Sequence, residues 1–341
     1  MMSYRKIIEG ERAKLNKSIN WWPLYLYHFT DVHNAISIID KEYIFGRKLA
    51  SDENLMTSDN ASSNVIEITD EMVLRYARLY MRPKTPTQFH NEGYKPEAIR
   101  DQGINANCPV PVFFFLDAEK VLSLDGVQFV EKGLAGHHID NSLLLSGEEQ
   151  FSKLNFEKIF HNGSFPPGSD IKQFRHTEVI RQDGIPISNL IRGIACRSIA
   201  EKQTLLYMLK KTSNEKYNKY KNIISYKPEI DIFYNNGIFI RKVGFIDGTL
   251  YLELNDSNNR YNRFSNNRID VDIQIHITWL GNNLEVLGRS SGSATIDYRE
   301  VLRISFTPKT KINKNYALLD VRFDNYLMYN NIIQIREFEI I

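Results

Sequence analysis

The chain has 341 residues, 42% of them hydrophobic and 25% charged, with a formal net charge of +2. That length suffices for two domains and a sizeable core. The near balance of charge excludes a protein that holds nucleic acid by overall basicity, so any such contact must come from a local basic patch.

The first elements read as α+β. Tyr25 to Thr30 is expected as a strand that ends at a helix. Asp31 suits the N-cap, and Val32, Ala35, Ile36 and Ile39 follow at helical spacing. Such a junction turns backbone N–H groups toward ligands, phosphates above all. Met72 to Leu79 fits helix or strand, and Pro83 and Pro86 then impose an extended or turning stretch. Val110 to Leu116, broken only by Pro111, is expected as a buried strand. It is the longest apolar run and falls far short of the ~20 residues that span a bilayer. Residues 160 to 170 form a loop by composition, just ahead of Glu178, which sits in a strand-like Thr-Glu-Val-Ile setting.

The polar, lysine-rich run at 211–222 is expected as a linker, either an exposed helix or a tether. Beyond it, Ile269, Val271, Ile273, Ile275, Ile277 and Trp279 alternate with polar residues, Gly281 to Asn283 turns the chain, and short strand-like bursts follow. Ile332 to Ile341 is expected as the closing strand. This pattern predicts an all-β, sandwich-like domain over 223–341. Cys108 and Cys196 form no Cys-x-x-Cys pair and are expected as reduced core thiols. Adjacent strand histidines face opposite ways, so His137 and His138 make no metal site, and no metal is expected. With no apolar signal core at the N-terminus, a cytoplasmic protein with no membrane partner is expected.

Three segments occur in a telling order: Tyr27-His-Phe-Thr30, then Tyr80-Met-Arg-Pro-Lys-Thr-Pro-Thr-Gln88, then Arg175-His-Thr-Glu-Val-Ile180. Together they resemble the DarT family, ADP-ribosyltransferases that use NAD to modify nucleic-acid bases. Gly184 to Ile194 is also similar to the family. The resemblance implies an α+β ADP-ribosyltransferase fold over 1–210, a split mixed sheet with NAD in the cleft between its halves. The middle segment looks like the Arg-Pro-Arg-Thr-Pro-Thr-Gln stretch of the guanine-associated branch, with Lys84 in place of an arginine. Thymine-directed members carry an Ile-Lys-x-Arg type segment, whereas residues 48 to 74 here hold no arginine.

Site residues follow from that resemblance. Glu178 stands where the family's catalytic glutamate stands, within a segment of Ala-Glu-Phe-Leu-Val type, and Arg82 is placed beside it as catalytic. Alternation on the strand puts His176 and Glu178 on one face. His28, Thr30 and Asn34 are expected to hold the NAD nucleotide, together with Arg47 and Tyr80. Arg47, Arg78 and Arg82 are the candidate partners of the pyrophosphate, since a guanidinium offers a fixed fork of donors. Lys84, Thr85, Gln88, His90, Arg175 and His176 are expected at the substrate, with Tyr80 or Phe89 offering a face for stacking. His176 or His90 is the candidate to take the acceptor's proton. Taken alone, Glu178 reads as a solvent-face strand residue and His28 as a half-buried histidine.

The function implied is transfer of ADP-ribose from NAD, the co-substrate, onto a base of single-stranded DNA, guanine being expected. The setting implied is a toxin–antitoxin or phage-defence system with a cognate antitoxin protein. The alternatives are bases of RNA, thymine in DNA, or an inactive module that binds nucleic acid or protein on the same fold.

Overall fold

The computed structural model describes residues 3–53, 55, 71–100, 107–134, 143–182, 184–256, 268–309 and 315–335. Among them lie nine strands of the first region: β1 (Tyr25–Asp31), β2 (Tyr43–Ile44), β3 (Ala77–Tyr80), β4 (Pro111–Asp117), β5 (Val127–Val130), β6 (Glu178–Arg181), β7 (Ile185–Pro186), β8 (Ile191–Cys196) and β9 (Ile224–Ser225). Seven of these form one mixed sheet in the order β5-β6-β3-β1-β4-β8-β9, while β2 and β7 pair separately. Neighbours are antiparallel except β8 and β9. β4 is buried along nearly its whole length, as a central strand covered on both faces must be.

One seam divides this sheet. β1 pairs with β4 over seven residues, from Tyr25↔Asp117 to Asp31↔Pro111, but with β3 only at Tyr27↔Tyr80. On the far side of the seam, β3 and β6 pair over four residues, from Ala77↔Arg181 to Tyr80↔Glu178. The expected strand-to-helix junction is present. Asp31 caps the helix Val32–Lys41 by accepting from the His33 amide at 3.0 Å, and that helix buries Val32, Ala35, Ile36 and Ile39. Met72 to Leu79 supplies both alternatives in turn, a helical turn at Glu71–Leu74 and then β3.

The run over 211–222 takes the helical one of its two expected forms. The helix Ile199–Thr212 is followed at once by Asn214–Tyr220, whose start Ser213 caps. Tyr220 is buried, and Lys216 and Lys219 reach Glu42. Lysine stems cover apolar surface while their heads stay wet, so a lysine-rich run can pack as well as tether. β9 then completes the first sheet, which moves the join between the regions beyond Ser225.

The second region comprises β10 (Ile240–Ile246), β11 (Thr249–Leu254), β12 (Asp270–Leu280), β13 (Val286–Asp297), β14 (Arg303–Phe306), β15 (Tyr316–Phe323) and β16 (Tyr326–Gln334). They form two antiparallel sheets, β10-β11-β14 and β13-β12-β15-β16. The two sheets share one core, built around Trp279, Leu252, Phe245, Val321 and Phe323. This is the all-β sandwich that the alternation in β12 predicts. The closing strand ends at Gln334, and residues 336–341 of the expected last strand lie outside the described residues.

The helix Ile199–Thr212 joins the two regions. Tyr329 donates to Gln203 at 3.0 Å, the Asn330 amide to Thr204 at 3.1 Å, and Ser198 to the Ile240 carbonyl at 2.7 Å.

Candidate active site

Glu178 opens β6 and is 3% exposed. Its Oε2 accepts from the Leu134 amide at 3.2 Å, and its Oε1 lies 3.8 Å from Arg78 Nη1. A buried carboxylate needs such partners, because isolation from water would otherwise neutralise it. Tyr80 lies directly across from Glu178, and opposite residues of a ladder share a face. Burial and the charge of Glu178 push the Tyr80 phenol up to about 12, so it is a neutral donor at ordinary pH.

His28 sits at the seam. Its Nδ1 is 3.2 Å from the Arg78 carbonyl, which can only accept, so Nδ1 carries the proton and Nε2 is left as an acceptor. Burial lowers its pKa, and the Arg78 carbonyl opposes that only in part. Arg78 therefore touches both key groups, His28 through its backbone and Glu178 through its side chain. Thr30 is buried on the same strand face as His28, Asn34 lies in the first turn of the following helix, and Arg47 opens the helix Arg47–Asp52.

Arg82 differs from its expected place beside the reacting atoms. It is 1% exposed, and all three guanidinium nitrogens donate to the chain. Nε reaches the Pro83 carbonyl at 2.9 Å, Nη1 the carbonyls of Ile159 (3.1 Å) and His161, and Nη2 the Asn162 side chain at 3.4 Å. Its ring partner is Trp22, at 4.8 Å. Arg82 ties the end of β3 to the loop that precedes Glu178. Arg175 grips the same loop at the Gly163 carbonyl (2.6 Å) and at His161 Nδ1 (2.9 Å), and lies over the Phe165 ring.

The proline-bounded stretch is a turn followed by the short helix Pro86–Asn91. Two of its expected substrate residues face inward. Thr85 caps the helix by accepting from the Gln88 amide at 3.1 Å. Gln88 is buried, with its amide nitrogen bonded to Glu92 (2.7 Å) and to the Ile232 carbonyl (2.8 Å) and its oxygen to the Lys84 amide (2.6 Å). Lys84 has φ +58° and pairs with Asp231 at 2.7 Å. Thr87 faces the site, hydrogen-bonded to Tyr80 and 3.4 Å from His176 Nδ1.

His176 precedes β6 rather than lying on it, because the helical turn Ile171–Phe174 runs up to Arg175. Burial, Lys172 and His90 hold it down to about 4, so it is neutral at pH 7 and a weak base. Sequence reasoning gave no role to Glu92 or Thr87. A Gln-x-x-x-Glu spacing on a helix was the available signal for Glu92. His137 and His138 lie outside the described residues. Among the described residues, no cluster of three or more His, Cys, Asp or Glu could hold a metal ion, and no helix is long and apolar enough to cross a membrane.

A split mixed sheet with a histidine strand at the seam and a buried glutamate across it defines an ADP-ribosyltransferase fold. The family model described as "ssDNA thymidine ADP-ribosyltransferase, DarT" matches residues 27–272, and the chain belongs to the DarT family. It is an NAD-dependent ADP-ribosyltransferase. The match runs through the helices after Thr212 and into the start of β12, so the family likeness reaches further along the chain than residue 210. The family description names thymidine, whereas the middle segment led us to expect guanine.

Among solved structures, Thermus sp. 2.9 DarT in complex with NAD+ is 14% identical, with 62% of this chain and 98% of that chain covered and a TM-score of 0.44. The same protein in complex with ADP-ribosylated ssDNA is 14% identical over 62% and 97%, with a TM-score of 0.46. Thermosipho africanus DarTG in complex with ADP-ribose is 12% identical over 65% and 54%, with a TM-score of 0.43. Among curated proteins none matches this chain.

Proposed function

We propose that this enzyme transfers ADP-ribose from NAD to thymine in single-stranded DNA. The observation that carries the chemistry is the buried Glu178 carboxylate, held by Arg78 and the Leu134 amide beside the neutral Tyr80 phenol. The acceptor class is carried over from the family description, which names single-stranded DNA and thymidine.

The residues present fit NAD. NAD supplies the ADP-ribosyl group and a nicotinamide that leaves with the electron pair of the broken glycosidic bond. A nitrogen of the acceptor base forms the new bond to the same ribose carbon and gives up its proton to water. Positive charge builds on the ribose as the old bond breaks, as in glycoside hydrolysis. Glu178 stabilises that charge and holds a ribose hydroxyl, so its contribution is larger in the transition state than in the ground state. Nε2 of His28 accepts from a cofactor hydroxyl or amide. Arg78 pairs with Glu178 and aims it. His176, neutral and bonded near Thr87, orients the acceptor base by hydrogen bonding. Arg82 is a positioning residue for the loop before Glu178.

As the resemblance to the DarT family implies, this chain is the toxin of a toxin–antitoxin pair, acting in the cytoplasm and neutralised by a cognate protein.

The test uses NAD labelled in its adenylate half. Purified protein is incubated with an all-thymine DNA strand, a thymine-free strand containing guanine, and single-stranded RNA, each beside Glu178→Gln. Label on the thymine strand, reduced roughly 10²–10³-fold in the variant, is expected, the loss typical of removing one transition-state partner. Label confined to the guanine strand would move the acceptor to guanine. Label on neither DNA would sink the DNA reading.

A further inference from the structure

The segment that leads into the sandwich is wedged against the Lys84–Glu92 stretch. Tyr234 donates to the Lys84 carbonyl at 2.7 Å, and Asp231 holds the Lys84 ammonium. The amides of Tyr234 and Asn236 donate to Glu92, and the Asn236 side chain donates to the Phe89 carbonyl. Gly93, at φ +83°, packs so closely that a Cβ there would fall on the Asn236 carbonyl. Lys84 itself holds a left-handed backbone, which costs a side-chain-bearing residue energy and persists only when neighbours fix it. Two of the contacts that fix it come from Asp231 and Tyr234.

Around Tyr234 positive charge predominates: Lys84, Arg82 and Arg175 stand against the buried Glu92 and the exposed Asp231. Arg175 is close enough to Arg82 to lower its hold on a proton, and both are within electrostatic reach of the Tyr234 ring. Among the described residues, neither guanidinium has a carboxylate within ion-pair distance. Lys84 Nζ lies 5.9 Å from the centre of the Tyr234 ring, Phe89 meets that ring edge-on at 5.1 Å, and Arg175 covers Phe165 at 4.7 Å. Of the two carboxylates, Asp231 pairs with Lys84, and its side chain is 72% exposed. In a chain whose net charge is only +2, this is local charge. Cations interleaved with aromatic rings are what a single strand's phosphates and bases require.

We propose that Tyr234 and Asp231 belong to the path of the acceptor strand. Tyr234 seats a nucleotide that flanks the target base, between Lys84 and Arg175. Asp231 is the counter-ion that a phosphate of the strand displaces from Lys84. This inference rests on the single-stranded DNA reading above, and it makes the lead-in to the sandwich part of the substrate site.

The experiment is fluorescence anisotropy of a labelled all-thymine strand without NAD, so that binding is read apart from chemistry. Tyr234→Ala is expected to weaken binding roughly tenfold, the scale of losing one base–aromatic contact. Asp231→Asn is expected to tighten binding several-fold, and because that side chain is exposed the variant decides the matter even if Tyr234→Ala fails to fold. Unchanged affinity in both variants, or weaker binding by Asp231→Asn, overturns the inference and leaves the DNA reading standing. A wild type that neither binds nor labels any single strand overturns that reading and this inference together.

Discussion

A single tautomer decides what His28 can do. Its Nδ1 is committed to the Arg78 carbonyl, so only Nε2 is left to meet a ligand, as an acceptor. Burial holds the ring neutral, which keeps that acceptor available as pH falls. The KM for NAD should therefore stay flat between about pH 6 and 8, a range in which an unperturbed histidine would change charge. His28→Ala should raise KM for NAD roughly tenfold, the value of one hydrogen bond to a buried polar group, with a smaller change in kcat. Initial rates across that pH range measure both. A KM that climbs steeply below pH 7 would mean that Nε2 takes up a proton, against the assignment. At this scale the sequence singled out Glu178 and His28 only through segments that resemble the family, and the structure buries Glu178 and sets His28 at the seam. Arg78 was legible only as a nearby cation. Its link to both groups depends on a ladder register between β3 and β6 and on the seam beside β1, and no local pattern encodes either.

The loop before Glu178 is ordered by elements distant in sequence. Arg82, at the end of β3, satisfies the carbonyls of Ile159 and His161 and the Asn162 side chain. Burial and the neighbouring Arg175 lower its pKa to about 9, yet it stays charged at neutral pH. A lysine offers a compact point charge instead of a planar fork and cannot span the same acceptors. Arg82→Lys should cost about 2–4 kcal/mol of stability, from several buried hydrogen bonds lost or left unmade. It should also lower transfer to DNA while NAD affinity is retained, because the residue acts through the loop. Thermal unfolding and NAD titration test this; a variant that loses NAD binding while keeping wild-type stability would place Arg82 at the cofactor instead. The proline pair correctly announced a turn here. That Thr85 and Gln88 are spent on capping and on Glu92 was not legible, since polar residues that serve a scaffold and those that serve a substrate have the same composition.

At the scale of the molecule, one buried charge cluster ties the two regions together. Arg197 and Glu201, both essentially unexposed, form an ion pair at 2.5 Å, and Glu92, fully buried, lies 3.8 Å from the same guanidinium. Arg197 also donates to the carbonyls of Asn236 (3.1 Å) and Pro109 (3.0 Å), and its guanidinium lies 3.9 Å from the Phe239 ring. The cluster thus joins the end of the helix Pro86–Asn91, the approach to β4 and the lead-in to the sandwich. One guanidinium cannot balance two carboxylates. Burial, aided by the charge of Glu92 and opposed by Arg197, pushes Glu201 up to about 7. A carboxyl group raised in the folded state favours folding while it is protonated. Its contribution is fully present below the unfolded value of 4.5 and is lost as pH rises through about 7. The difference corresponds to about 3 kcal/mol across that window. The wild type's melting temperature should therefore fall relative to that of Glu201→Gln from about pH 5 to pH 8, since the histidines that also titrate there are common to both proteins. Glu201→Gln keeps the shape and leaves Glu92 to pair with Arg197, so its melting temperature should exceed the wild type's at pH 8. Parallel melting curves for the two proteins would show that Glu201 is ionised throughout. The junction would then hold a net negative charge that the acceptor strand, with its own phosphates, would have to approach.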